Sequence, residues 1–296
     1  MDQKKFGVLI LIISAIGFGT LGLWGKLAYS TGLSPLQLLA ARFILSGIIL
    51  WLVTLIFFRK KIKVSINELI FLFIQGGILY TLTSYGFFLS LQTLKVSLAT
   101  ILFFLHPIYT YFITAFILKK RISIRKWIAL FISLIGITLV IDITNISISD
   151  SGKGMIFAVL AGLCYSIFTV NNGINKNNIS GFTTTLYTIT FSGLTMGFLA
   201  SIQLNGWLTF NLSQIQVITG ISLIGTILGI FCFVEGIKLV GATTASVVSV
   251  FEPLSGVFLA FVFLDETISY IQSLGIAIVL LAVYLVTTKR KLAIKN

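Results

Sequence analysis

Val250-Phe251-Glu252-Pro253-Leu254-Ser255 lies within a run of apolar and small residues over 242–264. A carboxylate near the middle of a membrane span costs on the order of 2.5–3.5 kcal/mol on insertion scales, so it is rarely kept there without a task. Pro253 removes a backbone donor and leaves a carbonyl about one turn upstream without its helical partner. The pair predicts a break inside a helix. Moving 146 positions toward the N-terminus lands on His106-Pro107, inside the similar run 96–118. Two breaks at one spacing predict a duplicated chain.

The composition sets the solvent. Of 296 residues, 57% are hydrophobic and only 10% charged, with a mean hydropathy of +1.07, where a soluble domain carries about a quarter charged residues. This is the composition of an integral membrane protein. The formal charge of +13 resides in short basic clusters between apolar runs, as the positive-inside rule produces, so nucleic acid is not an expected partner. Cys164 and Cys232 both fall in apolar runs, so neither a disulfide framework nor a metal cluster is expected, and one histidine excludes a multi-histidine site. The first apolar run follows Lys4-Lys5 as a signal peptide would. It is long enough to span and lacks a clear small-residue cleavage site, so it reads as a helix.

Runs of about 20 apolar residues mark spanning helices. Ten are read, at 6–28, 35–58, 67–91, 96–118, 124–143, 154–175, 181–203, 216–238, 242–264 and 268–288. The hardest division is between the eighth and ninth, where only Leu239-Val240-Gly241 intervenes. With a cytoplasmic N-terminus, the inner side receives seventeen basic residues, at Lys4, Lys5, Arg59, Lys60, Lys61, Lys63, Lys119, Lys120, Arg121, Arg125, Lys126, Lys176, Lys238, Lys289, Arg290, Lys291 and Lys295. The outer loops receive two, Lys95 and Lys153, beside Asp142, Asp150, Asp265 and Glu266. Such a bias predicts both termini inside.

At the offset of 146, the stretch 85–141 falls on 231–287 without a gap: Ala99 meets Ala245, Pro107 meets Pro253, Phe112 meets Phe258 and Ile122-Ser123 meets Ile268-Ser269. Ser46-Gly47 likewise falls on Ser192-Gly193. The expected fold is therefore all-α and integral to the membrane, with ten transmembrane helices as two five-helix repeats, 1–147 and 148–296. Five is odd, so the second copy enters inverted. Basic Lys119-Lys120-Arg121 and its acidic counterpart Asp265-Glu266-Thr267 then face opposite sides. Inverted repeats are a common plan for transporters that alternate access around a site between the repeats.

The residues also resemble a known family. Gly17-Phe18-Gly19-Thr20 through Trp24-Gly25-Lys26, then Gly32-Leu33-Ser34-Pro35 and Ala41-Arg42-Phe43, is similar to the opening of an EamA repeat; 242–264 followed by Asp265-Glu266-Thr267-Ile268 is similar to its close. The resemblance covers nearly the whole chain. It implies the drug/metabolite transporter superfamily, a central substrate cavity, and transport of amino acids, nucleosides, other metabolites or drugs, often outward. His106 before its proline departs from the commoner pattern and bears on substrate or coupling.

Seven residues are candidates for substrate binding or coupling. Glu252 would be a protonatable or substrate-binding carboxylate, weighed against a structural carboxyl at the proline break. The resemblance implies that Glu-Pro recurs whatever the substrate. His106, at the equivalent position, could relay protons or bind an anion, or simply bond across helices. Glu235 precedes Lys238 by one turn, a spacing that also suits an interfacial ion pair. Asn171 and Asn172 could line the inner part of a cavity or join helices. Tyr165 and Trp24 offer aromatic faces with polar tips, as do Tyr80, Tyr85 and Tyr109, though membrane aromatics also serve as packing and anchors. Arg42, about a turn and a half into the second span, reads as a charge that snorkels outward or ties helices together, and Lys26 as interfacial.

Gly17-x-Gly19-x-x-Gly22 matches the dinucleotide fingerprint, but that motif needs a preceding strand. Within a spanning helix, as with Gly193-x-x-x-Gly197 and Gly225-x-x-x-Gly229, small residues permit close packing. The Asn145 and Asn178 sequons read as chance matches. No cofactor is expected, and the partners are the lipid bilayer and a small molecule. A homodimer is compatible with the small-residue faces, which can equally be used within one chain. The expectation is a secondary transporter of small metabolites such as amino acids, an exporter in the bacterial cytoplasmic membrane, proton-coupled through Glu252. Its rival is a flippase for a lipid-linked or amphipathic head group. An intramembrane enzyme lacks a nucleophile with a base at matching depth.

Overall fold

In the computed structural model, residues 3–94, 96–141, 152–174, 179–205, 209–263 and 268–287 are described. The repeat boundary at 147/148, Lys95, Lys176, Asn145 and Asn178 of the two sequons, Asp265-Glu266 and the basic tail lie outside them. Among the described residues nine helices are long and apolar enough to cross a membrane. We label the helices in order: α1 Gln3–Ser30, α2 Pro35–Phe57, α3 Ile66–Ser90 and α4 Leu98–Ile117; α5 Ile124–Val140; α6 Gly152–Ile174, α7 Gly181–Gln203 and α8 Leu212–Val240. Then come α9, in two pieces, Ala242–Val248 and Phe251–Phe263, and α10 Tyr270–Thr287. The helix α5 has 17 residues and is as apolar as its neighbours.

Local chemistry sets the ends. Ser34 and Gln37 form a reciprocal capping box with Pro35 in the first turn of α2, and Ser65–Glu68 and Asn211–Gln214 do the same for α3 and α8. The division between α8 and α9 falls at Gly241, whose φ of +84° suits glycine and ends the helix. Outward-facing side chains are apolar, as at Phe57, Phe198 and Ile202, which suits lipid rather than water.

The packing repeats between halves. The α1–α8 contact has its counterpart in α6–α3, the α1–α9 contact in α6–α4, and α2–α7 and α5–α10 pair with themselves. Both predicted breaks are present: α4 opens into a turn at 104–105, just before His106, and α9 at 249–250, just before Phe251 and Glu252. A further pair of breaks was not visible in the sequence. The backbone widens into π-helix at Ile74–Tyr80 in α3 and at Ile221–Leu228 in α8, an arrangement often found at functional sites. In each, a threonine hydroxyl reaches a carbonyl five residues back: Thr81 Oγ1 to Gly76 O and Thr226 Oγ1 to Ile221 O, both 2.9 Å.

The widened turns are clasped across the repeat interface by the matched serines. Ser192 Oγ of α7 donates to Gly76 O of α3 at 2.8 Å. Ser46 Oγ of α2 lies 3.2 Å from Ser222 O of α8 and 2.6 Å from Arg42 O on its own helix. Hydrogen bonds between membrane helices average about 0.6 kcal/mol and reach about 1.7. Ser192→Ala should therefore lower thermal stability measurably in detergent, and more than Ser46→Ala, whose hydroxyl has a second acceptor on its own helix. Equal melting of all three proteins would refute this account of the clasp.

Candidate functional site

Both halves contribute to a small cavity of about 40 Å³. Its walls come from Phe18 and Leu21 of α1, Arg42 of α2, five residues of α3 from Tyr80 to Phe88, Phe103 of α4, Tyr165 of α6 and Glu252 of α9. Aromatic surface dominates, with Glu252, Arg42, Ser84 and Thr83 as the polar exceptions.

Two of the helix pairs around the cavity are set by close backbone approach. At Gly19 an added Cβ would lie 2.7 Å from Glu252 O, so only a glycine lets α1 lie this close to the break in α9. Ser255 Oγ fastens the same turn, lying 2.7 Å from Glu252 O and 3.1 Å from Ala15 O. Of the glycines that mimic a dinucleotide motif, Gly17 and Gly19 are thus helix-packing positions, as expected, whereas a Cβ on Gly22 would meet nothing within 4 Å. At Gly162 a Cβ would come within 2.7 Å of Phe103 O, which sets α6 against α4 one turn before Tyr165. Tyr165 then stacks on Phe233, with ring centroids 5.1 Å apart, and meets the His106 ring edge-on at 4.8 Å. Tyr80 ends the π-helical turn and packs against Phe43 and Phe168.

Arg42 departs from the snorkelling expectation. It is 1% exposed, with its guanidinium carbon 4.5 Å from the Phe43 ring centroid and 5.2 Å from that of Phe88. It does tie helices together, since Nη2 donates to Ser84 Oγ of α3 at 3.2 Å. Nε and Nη1 are buried without a partner among the described residues. A charge two turns inside a helix from its end reads alike whether it turns out or in, and the hydroxyl that receives it is 42 positions away.

The other candidates divide. Glu252 and Tyr165 line the cavity together. His106 is fully buried behind Tyr165, with Nε2 3.4 Å from Ser249 Oγ and Nδ1 without a partner among the described residues. Asn171 and Asn172 do not line it: Asn171 Nδ2 donates to Gln75 Oε1 at 3.3 Å, and Asn172 Nδ2 to Phe168 O of its own helix at 2.9 Å. Glu235 packs against the backbone of Gly181. Trp24 lies on Gly220, its Nε1 buried and without a partner among the described residues, outside the cavity lining. Sequence position alone does not separate these from Glu252, because consecutive helical residues point about 100° apart and only packing decides which face is inward.

Glu235 belongs to a separate cluster at the basic end of the bundle. There Tyr187 OH donates to Ile62 O at 2.8 Å, Thr183 Oγ1 to Lys61 O at 3.2 Å, Lys126 Nζ to Thr243 Oγ1 at 2.9 Å, and Lys238 Nζ to Ile179 O. These bonds join loop and helix ends of both halves. The cavity lies on the other side of the break, toward the end of the bundle where α2 begins and α3 finishes.

Residues 5–142 and 152–288 each match the EamA-like transporter family. The chain belongs to that family. EamA proteins fall within the drug/metabolite transporter superfamily, and the two matches give the chain its two-repeat architecture and make it a multi-pass membrane transporter. An uncharacterized transporter of Clostridium kluyveri is 25% identical over 94% of this chain and 91% of its own length. The uncharacterized transporter YcbK of Bacillus subtilis is 24% identical over 92% and 90%. A solved crystal structure superposes with a TM-score of 0.80 at 14% identity, covering 95% of this chain and 96% of its own, a likeness of fold. In this EamA chain the matched segments meet at the cavity, with Glu252 contributed by the second and Arg42 by the first.

Proposed function

We propose that this EamA protein is a secondary transporter that exports small amphipathic metabolites, such as amino acids, across the bacterial cytoplasmic membrane in exchange for protons. On this reading ten helices span the bilayer as two inverted halves, with both termini cytoplasmic. One observation carries it: a cavity walled by both repeats, with the Glu252 carboxylate beside the helix break of α9. Alternating access needs such a site between halves that can move against each other. The hydrogen bonds at the basic end and the cavity beyond the break support a form closed toward the cytoplasm. Glu252 and Tyr165 are the residues assigned to substrate or proton handling, with His106 supporting Tyr165 from behind, and Glu235 is assigned to the inner closure. Asn171, Asn172 and Trp24 stand one layer out, as packing partners of the moving helices.

Counterflow in proteoliposomes tests this. Unlabelled amino acids loaded inside should accelerate the saturable entry of a labelled one; flux that never saturates would point to a channel and overturn the proposal.

A second reading is favoured by a separate feature. Between α2 and α7 runs a groove of about 420 Å³, lined by apolar side chains and by Gly47, Gly193 and Gly197. Its hydroxyl, Thr190 Oγ1, already accepts from Trp51 Nε1 at 2.9 Å. Such a surface suits an acyl chain, as a flippase for a lipid-linked head group would require. Protein-dependent exchange of a fluorescent phospholipid between leaflets, without amino-acid counterflow, would select that reading.

A further inference from the structure

We infer that Arg42 is the anion-recognising anchor of the cavity, and that Arg42 and Glu252 together select a zwitterion: carboxylate on the guanidinium, ammonium on the carboxylate. The inference rests on the transporter reading above and adds to it the charge pattern of the substrate. Arg42 is 1% exposed and lines the cavity. One of its nitrogens is engaged by Ser84, while Nε and Nη1 have no partner among the described residues. A guanidinium presents its donors in a planar fork that matches a carboxylate with two parallel hydrogen bonds. Buried ionised groups are costly unless paired, and among the described residues Arg42 is satisfied only by Ser84 and the rings of Phe43 and Phe88.

The rest of the wall fits the same ligand class. Glu252 supplies the opposite charge from a different helix and the other repeat. The same lining includes Phe18, Phe87, Phe103 and Tyr165, a surface for an apolar side chain rather than for a sugar or a phosphate cluster. A ligand with only a positive charge would leave the guanidinium unpaired and repelled. One with only a negative charge would do the same to Glu252.

A matched ligand series tests this on the purified full chain in nanodiscs. L-phenylalanine carries both charges, phenethylamine lacks the carboxylate, and 3-phenylpropionate lacks the ammonium. Calorimetry on the wild type should show each truncated ligand binding at least tenfold more weakly than the amino acid. In Arg42→Gln, L-phenylalanine should lose its advantage over phenethylamine, while phenethylamine, no longer repelled by the guanidinium, binds at least as well as before. If Arg42→Gln does not fold, Arg42→Lys keeps the charge without the fork and should lose part of the preference. Three results would overturn the inference: a carboxylate that matters equally with and without Arg42, an arginine substitution that only lowers the melting temperature, or absence of binding across the series. Counterflow of some other solute by the same preparation would leave the transporter reading standing. Loss of all counterflow would remove the reading beneath it as well.

Discussion

Glu252→Gln is expected to yield a folded protein whose proton-driven substrate flux falls at least about tenfold, the factor given by about 1.4 kcal/mol of lost differential interaction. The substitution keeps the size of the side chain and removes its charge. Folding should survive, because the turn is held by backbone contacts: Ser255 Oγ reaches Glu252 O, and Gly19 leaves room for that carbonyl. A charge in a span costs on the order of 2.5–3.5 kcal/mol, so the amide should melt no lower than the acid. Two assays separate coupling from transport. Uptake driven by an imposed pH gradient should be lost, while exchange without a gradient persists at reduced rate. Undiminished gradient-driven uptake in Glu252→Gln would sink the coupling proposal.

The equivalent residue should behave differently. His106 does not line the cavity; it is packed edge-on beneath Tyr165 and lies near Ser249. His106→Gln is therefore expected to change stability more than flux, the reverse of the Glu252 pattern. The two breaks occupy matching places in the repeats, yet only one brings its polar residue to the cavity wall.

That asymmetry marks how far the amino-acid order could be read. The duplicated breaks were legible because proline and an ionisable residue in an apolar run leave few alternatives. The end of α8 was legible in outline, as Gly241 is the one residue in its short connection that readily adopts positive φ. Arg42 was not, since burial against Phe43, Phe88 and Ser84 depends on where α3 comes to lie. The π-helical turns were hidden for another reason. In helices that are apolar on every side, the hydrophobic period carries no phase, so an inserted residue leaves no mark. Their one trace was the chemistry of Gly76 with Thr81 and of Ile221 with Thr226, which becomes meaningful only when the carbonyls are seen to be reached by those hydroxyls. Asn171 and Asn172 looked like cavity amides because amides in a span need partners; Gln75 and the Phe168 carbonyl supply them within the packed helices.

Gly275→Leu should destabilise the protein more than any substitution at the cavity. α5 crosses α10 at Gly136 and Gly275, and the two backbones touch. A Cβ on Gly275 would lie 2.7 Å from Val140 N, 2.8 Å from Gly136 O and 2.9 Å from Leu139 Cβ. On Gly136 it would lie 2.6 Å from a Val279 methyl and 3.1 Å from Gly275 O. Backbone atoms cannot rotate aside, so any side chain here must push the helices apart. Between helices in lipid, packing at small residues replaces the hydrophobic drive that water would supply. Overpacking a close-packed site costs about 1–3 kcal/mol, and for Gly275→Leu the upper end or beyond is expected. Gly275→Ala should also destabilise, although alanine in an ordinary helix gains about 0.5–1 kcal/mol over glycine. Gly47 is the control, since a Cβ there meets nothing within 4 Å; Gly47→Ala should melt at or above the wild type. The readout is the monodisperse fraction surviving a temperature series in detergent. If Gly275→Leu and Gly47→Ala lost that fraction at the same temperature, α5 would not be clamped to α10 at this crossing, and the 17-residue helix would need another anchor in the bundle.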